Sequence, residues 1–215
     1  MVACGFNFLV AEAEEGLWVL GNNDKGQLGL GHTNSALQPT YSQLNCSEGP
    51  LRCLTASFVG VILIDSQGGV FSAGDDSQDQ LARSSGEAMK LQHLMNIPPM
   101  LAASCGCFHT LCLDESGGVW TWGHGGAGQL GTSNTFNQSQ PALVPSLKDI
   151  RALTAGGFHS LAFPQEGGLL VFGSNEYGQL GLNHTTDQST PTVIPVHPGV
   201  SHSLTHSRNK SARFL

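Results

Sequence analysis

One strand, ending in glycine, is written four times along this chain at an almost constant interval. A period of that kind constrains the fold more than any local pattern does. The copies are Gly16-Leu17-Trp18-Val19-Leu20-Gly21, Gly69-Val70-Phe71-Ser72-Ala73-Gly74, Gly118-Val119-Trp120-Thr121-Trp122-Gly123 and Gly168-Leu169-Leu170-Val171-Phe172-Gly173. Their final glycines, Gly21, Gly74, Gly123 and Gly173, lie 53, 49 and 50 residues apart. Alternation such as Val119 and Thr121 against Trp120 and Trp122 belongs to a strand whose two faces both pack. A sheet with two apolar faces cannot bury both alone, so the copies must stack.

Other landmarks keep phase with the glycines. Five residues after each comes Gly26-Gln27-Leu28-Gly29, Asp79-Gln80-Leu81-Ala82, Gly128-Gln129-Leu130-Gly131 or Gly178-Gln179-Leu180-Gly181. Twelve residues before each stands the apolar member of a preceding strand, at Leu9, Ile62, Leu111 and Leu161. Phe108-His109-Thr110 and Phe158-His159-Ser160 open that strand in the last two copies, which puts Asn7 in the histidine column of the first. Asp65-Ser66-Gln67-Gly68 and Asp114-Glu115-Ser116-Gly117 join the two strands as hairpin turns, with Asp opening and Gly closing. Prolines recur at Pro39, Pro141 and Pro191. The expected fold is all-β: a partial β-propeller of about four blades, each one antiparallel sheet. The repeats span residues 2–200, roughly as 2–52, 53–101, 102–151 and 152–200, and 201–215 form a polar, disordered tail.

The strand-Gly-x4-GQLG cadence, with the Ala155-to-Ser160 strand ahead of it, closely resembles the repeats of the regulator of chromosome condensation family (RCC-type). The resemblance covers about residues 2 to 200. It implies blades of four-stranded antiparallel sheet from a seven-bladed ring. It also implies a choice of uses: nucleotide exchange on a small Ran-like GTPase, chromatin or histone binding, or an interaction module within kinases and ubiquitin ligases. The second copy departs from the pattern, with Asp79 and Ala82 in glycine columns and Val59-Gly60 where Phe-His stands later. Four copies leave a seven-bladed geometry open, so the chain is a fragment of a longer one, an open arc, or a splayed smaller ring, and the first is the favoured expectation.

Composition narrows the function classes. All sixteen acidic residues precede residue 201, while Arg208, Lys210 and Arg213 follow it, so the repeat region carries −10. Such a surface repels phosphate backbones and suits a basic partner segment, so no direct nucleic-acid binding is expected. Cys4, Cys46, Cys53, Cys105, Cys107 and Cys112 form no CxxC pair and no metal-ligand spacing, and read as reduced structural residues. Cys105 and Cys107, two apart, are expected on one strand face. No secretory leader and no stretch of ~20 apolar residues is apparent, so a cytoplasmic or nuclear setting is expected, with no membrane span.

No catalytic set can be assembled. The glycine loops lack GxxxxGK[ST] and precede further β-structure, so their glycines read as turn residues with positive φ rather than as a phosphate cradle. The repeat-defining residues are Gly21, Gly74, Gly123, Gly173, Gly26, Gly128, Gly178, His109 and His159. A histidine repeated in one column suits backbone hydrogen bonding better than catalysis. His202 and His206, at i and i+4, lack a third ligand, and neither metal nor cofactor is expected. Function should therefore reside in loops that differ between copies on a shared rim. Asp75, Asp76 and Asp79 in one loop, with Glu176 and Tyr177 in another, are the candidate partner-binding residues. The expected role is a non-enzymatic protein-interaction scaffold within a larger signalling, trafficking or ubiquitin-pathway protein; exchange on a GTPase and chromatin binding are the alternatives.

Overall fold

Short apolar strands separated by glycine turns pair with the nearest segment in sequence, because closing a short loop costs little entropy. The computed structural model, which describes residues 1–42, 49–83 and 89–194, shows this pairing in every repeat. The first sheet contains β1 (Val2–Cys4), β2 (Phe8–Ala13), β3 (Gly16–Gly21) and β4 (Ala36–Ser42). The second contains β5 (Cys53–Ala56), β6 (Gly60–Ile64), β7 (Val70–Gly74) and β8 (Gln92–His93). The third contains β9 (Met100–Cys105), β10 (His109–Asp114), β11 (Val119–Gly123) and β12 (Gln138–Leu143). The fourth contains β13 (Ile150–Ala155), β14 (His159–Pro164), β15 (Leu170–Gly173) and β16 (Gln188–Val193). Each sheet is an antiparallel meander in sequence order. The described residues form no helix, so none is long and apolar enough to cross a membrane.

Three apolar clusters hold the sheets face to face. Val10, Val19 and Leu28 of the first meet Val61, Leu63 and Ala73 of the second. Ile62, Ile64 and Leu81 of the second meet Cys112 and Trp122 of the third. Leu111, Leu113 and Val119 of the third meet Ala162 and Phe172 of the fourth. Among the described residues no such cluster joins the fourth sheet to the first. The chain is a partial propeller whose blades follow one another in an arc. Leu9, Trp18 and Leu20 on one end face, and Leu161 and Phe163 on the other, are half-buried.

The four strand glycines have φ of 101°, 117°, 101° and 107°, as their turn role requires. Any side chain there would also collide with the neighbouring strand: a Cβ on Gly123 would lie 2.5 Å from the Phe108 carbonyl oxygen. The prolines Pro39, Pro141 and Pro191 sit on the outermost strands, where a missing N–H breaks no interior ladder.

The first blade differs from the expected alignment by one residue. Phe8, not Asn7, lies opposite Gly21, in the place held by Gly60, His109 and His159 opposite their own glycines. The cause is its shorter hairpin: only Glu14 and Glu15 separate the paired Ala13 and Gly16. A one-residue slip reverses both faces of a strand. Val10 therefore takes the inward position shared with Ile62 and Leu111, and Leu9 turns to the end face.

Cys107 lies beyond β9 in the turn, so it does not share a strand face with Cys105. Burial pushes the Cys105 thiol up to about 12 and raises Cys112 and Cys53 as well, which keeps these sulfurs protonated and inert. Cys46, His202, His206 and the whole 201–215 tail lie outside the described residues.

Candidate interaction face

In an antiparallel meander the turn after the first strand and the loop after the third fall at the same end of the sheet. Hydrogen bonds fasten the two together in every blade. The backbone N–H of Asn22, Asp75, His124 and Ser174, each just past a strand glycine, donates to the carbonyl of Asn7, Val59, Phe108 and Phe158 respectively. All four blades thus present their first turns and third loops on one common face.

The recurring Gln-Leu pair builds the loops of that face. Gln27, Gln80, Gln129 and Gln179 each accept, through Oε1, the backbone N–H two residues earlier, at 2.9 Å in all four blades. The following leucines, Leu28, Leu81, Leu130 and Leu180, are fully buried. Positive φ completes the turn: Gly26, Gly128 and Gly178 supply it in three blades, and in the second Asp79 (62°) and Ala82 (52°) adopt it without being glycine. Carbonyls of this frame also clamp the next blade. The Gln80 carbonyl accepts from Thr110 Oγ1 (2.8 Å) and Trp122 Nε1 (2.9 Å), and that of Gln129 accepts from Ser160 Oγ (2.7 Å).

The candidate acidic residues separate into two kinds. Asp76 is structural. Its two carboxylate oxygens accept the backbone N–H of Leu81 (2.7 Å) and Arg83 (2.8 Å). Asn23 and Asn175 hold the same place in the first and fourth blades and accept from Leu28 and Leu180. Burial raises the Asp76 pKa, and the two backbone bonds offset only part of that rise. Asp75 instead touches Ser77 Oγ at 2.6 Å, and Asp79 occupies the turn position. Glu176 and Tyr177 are exposed, Tyr177 by 86%, in the equivalent loop of the fourth blade. A whole blade separates the two groups.

The histidine column is built into the blade contacts. Ser160 Oγ gives its proton to the Gln129 carbonyl, so the 3.0 Å contact with His109 is a bond donated by His109 Nε2–H. His109 Nδ1 is buried without a hydrogen-bond partner. Burial, followed by the neighbouring His159 and His124, lowers the His109 pKa to about 3. A serine already spent on a carbonyl, beside a histidine that no acid orients, cannot serve as a nucleophile pair. Among the described residues no three His, Cys, Asp or Glu side chains converge on a metal position.

The face also carries a row of aromatic rings. Phe6 stacks on Phe58 at 4.3 Å between ring centres, Phe58 lies 5.8 Å from Phe108, and Phe108 lies 6.1 Å from Phe158. Phe6 is 64% exposed, Phe58 36% and Phe158 41%. His124 meets Phe158 edge-on at 6.3 Å, which connects the row to the third-strand loops. The signal in the sequence is faint because Phe6 and Phe58 precede their column residues by two positions, Phe108 and Phe158 by one.

Comparison with known proteins agrees with the geometry. The model for the regulator of chromosome condensation (RCC1) repeat matches residues 116–163 and 166–206. Protein RCC2 of Homo sapiens is 28% identical over 170 residues, covering 66% of this chain and 32% of its own. The probable E3 ubiquitin-protein ligase HERC3 of Homo sapiens is 34% identical over 151 residues, 68% of this chain and 14% of its own. The crystal structure of human WBSCR16 superposes with a TM-score of 0.82 at 25% identity, over 93% of this chain and 54% of that one. Yeast RCC1 (Prp20), solved bound to Kap60, superposes at 0.78 with 22% identity, over 91% and 49%. The chain thus spans about a third of the RCC2 relative and about half of the two superposed structures.

Proposed function

This chain belongs to the RCC1 repeat family, and on that footing we propose that it works as a protein-interaction scaffold without catalytic activity of its own. The observation that carries the reading is the division of labour within each third-strand loop. Gln and Leu hold the same positions in all four blades, while the third and fourth residues after the strand glycine change from blade to blade: Asp24 and Lys25, Ser77 and Gln78, Gly126 and Ala127, Glu176 and Tyr177. A constant frame that presents changing side chains on one face is what specific recognition requires. The acidic balance of the face favours a basic segment of a partner protein. The match to a ubiquitin-protein ligase supports a place within a larger signalling or ubiquitin-pathway protein. Guanine nucleotide exchange has less support, because it rests on the family resemblance alone.

The test is affinity capture by the wild-type chain, by a triple variant Asp75→Ala, Glu176→Ala, Tyr177→Ala, and by Glu166→Ala in a turn at the opposite end. Loss of the partner in the triple variant alone supports the reading. Loss in Glu166→Ala alone places the site at the other end and overturns it.

A further inference from the structure

We infer that the row Phe6, Phe58, Phe108 and Phe158 is a docking strip for an arginine-bearing extended peptide, whose guanidinium groups lie over successive rings. The inference rests on the scaffold reading and names the chemistry of the partner. Three observations support it.

The first is exposure. A protein surface seldom leaves aromatic rings in a contiguous file, and this file, with Phe6, Phe58 and Phe158 exposed and Phe108 half-buried, crosses all four blades. Its rings come from first turns that the hydrogen bonds to the third-strand loops hold in place, so the strip needs little ordering when a ligand arrives.

The second is spacing. In an extended chain every second side chain falls on one side, about 6.6 Å apart. The steps from Phe58 to Phe108 (5.8 Å) and from Phe108 to Phe158 (6.1 Å) are close to that repeat. The rings there are tilted by 47° and 46°, so they do not cover one another face to face, whereas Phe6 and Phe58 are stacked at 23° and act as one platform. A peptide with arginine at alternate positions therefore matches the strip ring by ring.

The third is charge. Within the eight residues after each strand glycine stand five carboxylates against one cation, Lys25; Asp76 is spent on the loop frame, which leaves Asp24, Asp75, Asp79 and Glu176 to face a ligand. Arg83, just past the second of these stretches, turns inward onto the Ser72 and Lys90 carbonyls. A cation over the strip meets ring faces on one side and this acidic rim on the other. Arginine suits such a place better than lysine, because its planar, weakly hydrated head stacks on aromatic faces.

The probe is a fluorescein-labelled nine-residue peptide with arginine at alternate positions and serine between, compared by fluorescence anisotropy at low salt with lysine and citrulline counterparts. The arginine peptide should bind several-fold more tightly than the lysine peptide, and the citrulline peptide weakest of all. Each ring contributes about a two- to fivefold effect, so Phe58→Leu with Phe108→Leu should weaken arginine binding about tenfold and lysine binding much less. Phe58 is exposed and Phe108 half-buried, and an unchanged melting temperature of the double variant verifies its fold. Equal binding of the arginine and lysine peptides, or arginine binding unaffected by the double variant, overturns the inference. So does no arginine binding at all. If Asp75→Ala weakens both cationic peptides while the phenylalanine variant does not, the strip is wrong and the acidic-rim scaffold stands; the capture experiment above judges the scaffold separately.

Discussion

Asp75 and Asp76 are adjacent in sequence and chemically identical, yet their structural roles predict opposite responses to substitution. Asp76→Ala removes both acceptors of the loop frame and leaves the Leu81 and Arg83 N–H groups without partners. A hydrogen bond to a charged acceptor is worth about 1.5–3 kcal/mol net. The pair would reach ~3–6 kcal/mol if both values held in full. The raised pKa of Asp76 means that burial outweighs the bonds in the carboxylate's own balance, so the cost of the substitution is that of two stranded N–H groups, about 1–3 kcal/mol each. Water can reach the opened loop, so about 2–3 kcal/mol is the expected loss. In a chain of this size each kcal/mol moves the melting temperature by about 2–4 °C, which predicts a fall of roughly 5–10 °C. Asp75→Ala loses only an exposed contact with Ser77 and should shift it by less than ~2 °C. Thermal unfolding followed by circular dichroism, with urea denaturation as a second measure, compares the two. Equal shifts would refute the assignment of Asp76 to the frame. The same comparison explains why the capture experiment leaves Asp76 intact.

Three further outcomes are expected. Gly123→Ala places a Cβ 2.5 Å from the Phe108 carbonyl oxygen and 3.0 Å from the Gln80 Cα, at a φ of 101°, and should cost about 3 kcal/mol or more; Gly31→Ala has positive φ but open space, and should cost only about 1 in the same urea titration. Ala82→Gly relieves a left-handed alanine at φ 52° in a column of glycines and should stabilise by about 0.5–1 kcal/mol, after allowance for the added freedom of the unfolded chain. Burial alone would raise the Asp114 pKa, but bonds from Ser116, Trp120 and Gly118 more than reverse this and lower it. A carboxylate depressed on folding gives stability that is complete above its unfolded pKa of ~3.9 and is lost as pH falls through the lower folded value. Asp114→Asn should therefore destabilise the chain near neutrality, and its difference from the parent in denaturant titrations should shrink below about pH 4.

Much of the architecture was legible because the glycines that end the third strands cannot be replaced: each has positive φ and a neighbouring carbonyl where a Cβ would go. The same rigidity made the Gln-Leu loops readable, since each Gln closes its own turn. The slip in the first blade was hidden because Leu9 and Val10 are both apolar, so a hairpin shorter by one residue leaves the hydrophobic pattern equally satisfied. In sequence Asp76 is one of a cluster of three acidic residues; aligned with Asn23 and Asn175, two residues past their glycines, it is the polar anchor of a loop. The phenylalanine row is not legible in the sequence because its members do not share one column. The fold of the turns, and not the register of the strands, brings the rings together.

The central claim is that the face with the first turns and third-strand loops receives a partner protein. Site-specific photo-crosslinking tests it most directly, with p-benzoylphenylalanine placed at Tyr177 or Phe108 on that face and at Gln165 on the opposite end. A discrete crosslinked species is expected from Tyr177 and Phe108 and none from Gln165. Crosslinks from Gln165 alone would contradict it.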